Sequence, residues 1–153
     1  MSAREVLPQV YEKFVHTGKV ELAYVDLPLQ MHSQAFKAAE AASCAGDQKK
    51  FWDMHNLLFV HQRELAPAQL PGYAKELGLD VAAFEACLAS GKHGPAIRQN
   101  IRLANTLGIF GTPAYVLGHR VPGGDKVQVL EIVKGVPPYE ELEKKLNALL
   151  AAE

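Results

Sequence analysis

The chain has 153 residues, of which 48% are hydrophobic and 22% charged, the proportions of one ordinary globular domain able to bury a core without staples. Sixteen basic and seventeen acidic residues leave a net charge of -1, which excludes the basic footprint of a nucleic-acid binder and a polybasic membrane surface. No apolar run reaches the ~20 residues of a bilayer span. The opening Met1-Ser2-Ala3-Arg4-Glu5 is polar and charged, so neither a signal peptide nor a transmembrane helix is expected, and the chain as written reads as cytoplasmic.

Val6, Leu7, Val10, Tyr11, Phe14 and Val15 recur at helical spacing, with Ser2 as a cap. Pro8 removes one backbone donor and implies a kink or a late helix start. After Gly18, the stretch Val20–Val25 is short, β-rich and ended by Asp26-Leu27-Pro28, and it reads as a strand. From Ser33 to about Ser90 the spacing predicts four short helices. The first is the alanine-rich run Ala35–Cys44; the second carries Phe51, Trp52, His55, Leu58 and Phe59. A looser piece with Pro67 and Pro71 ends at Gly78, and a helix with Val81, Phe84, Cys87 and Leu88 runs from Asp80 to Ser90-Gly91. His93-Gly94-Pro95 starts the next helix, whose buried stripe is Ile97, Ile101, Ala104 and Leu107. Ala114–Leu117 and Lys126–Val133 read as two strands around the turn Pro122-Gly123-Gly124-Asp125. A last helix from Pro138 to Ala151 turns Tyr139, Leu142, Leu146 and Leu149 or Leu150 inward. The order is α-β-(four helices)-α-β-β-α, a mixed α/β chain without repeats or linkers.

The sharpest local signal is Phe110-Gly111-Thr112-Pro113, between a helix end and an extended apolar run. Proline cannot donate to a ladder and so belongs at a strand's first residue. Its bond to Thr112 is either an ordinary trans bond or a cis bond that leaves the Thr112 backbone open to an extended peptide. Cys44 and Cys87 are too few for a disulfide scaffold or a four-ligand zinc site and too far apart for CxxC. Two states are open to them: a mutual bond, or two buried thiols acting as small hydrophobes. The six histidines show no ligand spacing, and His55, among Phe51, Trp52, Leu58 and Phe59, reads as a core or boundary residue. Gly123-Gly124 is a turn, and Glu140, Glu141, Glu143, Lys144 and Lys145 form a solvated face.

Pro28-Leu29, Met31-His32, Ala35–Ala42, Phe51-Trp52-Asp53-Met54-His55, Phe84–Leu88 and the Gly111-Thr112-Pro113 step together resemble the DsbA-like thiol:disulfide oxidoreductases. The resemblance runs from Arg4 to the last helix. It implies a thioredoxin-like α/β fold of the DsbA type, one domain over residues 1–153 with a helical insertion at about 30–92. It also implies a cis bond before Pro113, a substrate-binding loop at Gly111, Thr112 and Pro113, and a structural, non-catalytic disulfide between Cys44 and Cys87. The partner would be an extended peptide or protein substrate, with no metal, no organic cofactor, no nucleic acid and no membrane.

The departure lies at the N-terminus. Family members begin with a strand leading into a CxxC at the start of the first helix, and neither is found before this helix. Dithiol exchange needs a low-pKa thiolate at a helix N-terminus and a resolving thiol. This chain is therefore expected to be catalytically deficient while keeping peptide binding. The strand it lacks would be central. Three compensations are open: direct pairing of 20–25 with 114–117, a homodimer completing the sheet, or a longer natural chain, which would then be periplasmic or exported. Two other readings remain: a glutathione-dependent protein like the kappa-type transferases and isomerases, which share the fold and proline loop without CxxC, and a non-catalytic interaction subunit.

Overall fold

A computed structural model describes residues 6–124 and 126–152 of the chain. The Ser2 cap and Asp125 of the turn lie outside the described residues. The chain forms two compact units: Val25–Gly108, and a second made of the segment up to Tyr24 together with the segment from Ile109 onward.

In this second unit α1, Leu7–Val10, opens with Val6 at its N-cap and Pro8 within its first turn, where the missing donor is harmless. It runs on into one π-helical stretch, Tyr11–Val15. Pro8 falls in the first turn of the described helix, and the widened turn after it has no signature in the apolar spacing. Two strands follow in this unit, β1 (Ala114–Arg120) and β2 (Val127–Lys134), paired antiparallel with a bulge after Leu117. The closing helix of this unit, α7, is Tyr139–Leu150. Val6, Val10 and Phe14 of the N-terminal segment, Leu117 and Val133 of the hairpin, and Leu142 and Leu146 of α7 form one apolar cluster. Both helical segments therefore cover the same face of the hairpin. An ion pair of Lys13 with Glu143 links them, and Lys145 Nζ lies 2.5 Å from Glu131 Oε1 of β2.

Gly118 at the bulge is needed for close approach, since a Cβ there would lie 2.2 Å from the Gln128 carbonyl oxygen. Val20–Val25, expected as a strand, is irregular, and this is a correction. A strand forms only against a ladder partner, and among the described residues β1 pairs with β2 alone. The N–H groups of Lys19 and Val20 instead donate to the Phe14 carbonyl at 3.0 and 3.1 Å, closing the first helix. Direct pairing of 20–25 with β1 is likewise not found among these residues.

Val25–Gly108 holds α2 (Ala35–Gly46), α3 (Phe51–Val60), α4 (Leu70–Glu76), α5 (Val81–Ser90) and α6 (Gly94–Thr106). Ala38, Ala41, Ala42 and Ala45 of α2 are buried, and their small side chains let α3 and α5 approach closely around Met54, Leu70 and Phe84. Asp80 caps α5 by accepting from the Ala83 N–H at 3.0 Å, and Gly91 ends it at φ 61°. Glu40, a buried carboxylate, accepts from Lys37 Nζ at 2.6 Å, and the same ammonium donates to the Leu88 carbonyl at 3.0 Å. No helix among the described residues is long and apolar enough to cross a membrane.

Candidate functional site

The loop into β1 runs from Ile109, which is buried, through Phe110, whose ring is 74% exposed, to Pro113. The Thr112–Pro113 bond is cis. The Pro113 carbonyl accepts from the Gly135 N–H at 2.8 Å, fastening the loop to the end of β2. Ile109 to Pro113, with Lys134 and Gly135, line an open recess of ≈ 180 Å³. Gly111 has no atom within 4 Å of where a Cβ would stand. Among the described residues, the backbones of Gly111 and Thr112 make no hydrogen bond. The three residues expected to bind substrate thus meet at one exposed, unpaired stretch of chain beside a strand. Two residues on, the Tyr115 hydroxyl is buried with no hydrogen-bond partner among the described residues, and burial pushes its pKa up.

The two cysteines meet elsewhere. Cys44 of α2 and Cys87 of α5 are joined by a disulfide, with Cα atoms 5.9 Å apart. No cysteine is left free. The 43-residue separation gives ~4 kcal/mol of stabilisation in the chain-entropy model, an upper figure because strain subtracts from it. Cys44 is 2% exposed, whereas Cys87 lies nearer the surface. Around the bond, His93 Nε2 and Lys92 Nζ each lie 2.9 Å from Asp47 Oδ2. Burial pushes the Asp47 carboxyl up, but hydrogen bonds from His93 and Lys92 outweigh it and leave its pKa below the ordinary carboxylate value. Cys87 Sγ is 3.4 Å from the same oxygen, a contact rather than a hydrogen bond while the sulfur is oxidised.

Reading the sequence missed Asp47 and His93. The signal was there in the paired spacings, two residues between Cys44 and Asp47 and five between Cys87 and His93. His55 is buried as expected, packed against Trp52 and Phe59 at ring distances of 5.3 and 4.8 Å, and burial lowers its pKa. Asp26, half-buried, is pushed up to about 6 by burial.

The model of the family described as thioredoxin matches residues 2–133. The chain belongs to the thioredoxin family. The fold of this thioredoxin-family chain is DsbA-like: it superposes on the crystal structure of α-DsbA1 of Wolbachia pipientis with a TM-score of 0.78, covering 99% of this chain and 78% of that one at 21% identity. Among curated proteins it is similar to two sequences named Na(+)/H(+) antiporter NhaA, NhaA 1 of Salinispora arenicola and NhaA 3 of Salinispora tropica. Each is 39% identical over 125 residues, 80% of this chain. The matched segment spans only 19% of those relatives' length.

Proposed function

We propose that this chain is the peptide-holding body of a DsbA-like thiol–disulfide oxidoreductase, in which Gly111, Thr112 and Pro113 hold an extended segment of a protein substrate. Val25–Gly108 is, in this reading, the helical insertion of a single thioredoxin-type domain. What supports it above all is the loop itself: unpaired backbone at Gly111 and Thr112, beside an exposed Phe110 ring, offers main-chain pairing and an apolar contact together. In this reading the Cys44–Cys87 bond, one sulfur of which is almost fully buried, is structural and takes no part in the turnover of substrate disulfides. Ion transport is not proposed for this segment, whose described helices are too short to span a bilayer.

Calorimetry with an extended apolar peptide, serine replacing its cysteine, tests the reading. Binding is expected for the native chain and should weaken in Thr112→Pro, which removes the N–H, and in Phe110→Asp. Equal affinity in all three sinks the loop as the site. Insulin reduction no faster than the uncatalysed rate is expected in parallel. Heat with glutathione at millimolar concentration would favour the kappa-type reading instead.

A further inference from the structure

Cys44, Asp47, Cys87 and His93 each offer one ligand atom, and these four atoms lie within 4.8 Å of one another. We propose that reduction of the Cys44–Cys87 bond turns this group into a site for one zinc ion, so that the helical unit exchanges a covalent staple for a metal staple.

Three elements deliver the donors. Cys44 sits in the last turn of α2 and Asp47 follows its end, three positions on and so on the same side of the helix. Cys87 comes from α5, and His93 directly precedes α6. A tetrahedral zinc with Zn–S near 2.3 Å and Zn–N or Zn–O near 2.0–2.2 Å needs ligand-to-ligand edges of ~3.3–3.8 Å. His93 Nε2, at 2.9 Å, and Cys87 Sγ, at 3.4 Å, already converge on Asp47 Oδ2. Among the described residues no other group of three such side chains is brought together.

The donor set selects the ion. Two thiolates and an imidazole suit zinc and exclude magnesium and calcium, which want oxygen. Lys92 Nζ now holds Asp47 Oδ2 at 2.9 Å, but its side chain is 53% exposed and swings to solvent once the metal supplies the positive charge. Buried Cys44 closes the inner side, while the partly exposed Asp47 and His93 leave an entry path.

The redox step balances with an external dithiol. Its two thiols close a disulfide of their own, passing two electrons and two protons to Cys44 and Cys87. Zinc binding then expels those two protons to solvent.

The test is an anaerobic titration of the whole chain, reduced with a water-soluble phosphine that takes up oxygen from water as the bond opens and is then removed. Cobalt(II) should bind one equivalent with thiolate-to-cobalt charge-transfer absorption and the intense visible bands of a tetrahedral ion, and zinc should bleach both. The oxidised chain should show neither. His93→Ala and Asp47→Asn should each weaken binding by at least the ~10–100-fold that loss of a supporting partner costs. His32→Ala, exposed and outside the group, should not. Circular dichroism on the same samples separates binding from folding. If the reduced chain loses helix, zinc must restore it. Overturning results are a reduced chain that stays folded and takes no metal, one that stays unfolded with zinc, or affinity unchanged in both His93→Ala and Asp47→Asn.

Discussion

In Val25–Gly108 the apolar side chains close on one another. Phe84, Met54 and Leu70 are completely buried, α2 contributes four of its five buried alanines to the same cluster, and the cysteine pair ties α2 to α5. The other unit covers one face of a two-stranded hairpin and leaves the rest exposed: Val116 of β1 and Val127, Val129 and Leu130 of β2 are each 40–52% accessible. The difference teaches how the same chemistry depends on architecture. Helices at 3.6-residue period bury a stripe against several neighbours, whereas a two-stranded ladder is marginal unless a further layer or strand supports it. Hydrogen exchange should therefore be slowest in α2 and α5 and faster throughout β1 and β2. The reverse order would break the comparison.

The largest expected effect is at Phe84. Phe84→Ala removes a fully buried ring and should cost ~3–5 kcal/mol in urea denaturation; a loss under ~1 kcal/mol would mean that the helical core is not closed. Replacing Cys44 and Cys87 together by alanine should cost up to ~4 kcal/mol in metal-free buffer, with the loss confined to unfolding of the helical unit.

Asp26 sharpens the comparison by pH. Its folded pKa of about 6 is above the ordinary 3.8, so between these values the folded state holds more protons than the unfolded one. Stability then falls as pH rises through that window and stays reduced above it. Asp26→Asn should flatten the slope and raise the melting temperature at pH 7 relative to wild type. The gain is at most ~3 kcal/mol, less because solvent still reaches the carboxylate. His55 works in the opposite sense. Its pKa is lowered by burial, so stability is full above about pH 6.5 and declines as the unfolded chain protonates first on acidification.

Gly118→Ala should cost ~1–3 kcal/mol by forcing the hairpin apart, visible as faster exchange in β1. Smallest of all, Val129→Thr on the open face should stay within ~0.5 kcal/mol. A larger loss would mean that something covers that face.

Much of the helical unit is legible from the sequence because its signals are local. Asp80 before an apolar period and Gly91 after it mark α5 to the residue, and of the stripe expected for α6 Ile97 and Ala104 are buried while Ile101 and Leu107 are half-buried. Val20–Val25 misleads for the opposite reason: β-rich composition states a preference that only a partner strand can realise, and the helix before it claims the Val20 N–H. The start of β1 is readable because Pro113 fixes its own φ and cannot donate to a ladder. The meeting of Asp47 and His93 with the cysteines is set by how three helix ends converge, which a linear reading sees only as two short spacings.

The aromatic packing around His55 has an optical consequence. Trp52 is the chain's one tryptophan, and its indole stands edge-on to the His55 ring at a centroid distance of 5.3 Å. An imidazole quenches a nearby indole far more strongly when it is protonated, and burial lowers the pKa of this one, so it takes up its proton only further into acid than an exposed imidazole would. The emission of a single fluorophore therefore carries a built-in gauge of the helical unit: bright while His55 stays dry, and dimming in acid at the pH where water first reaches that ring.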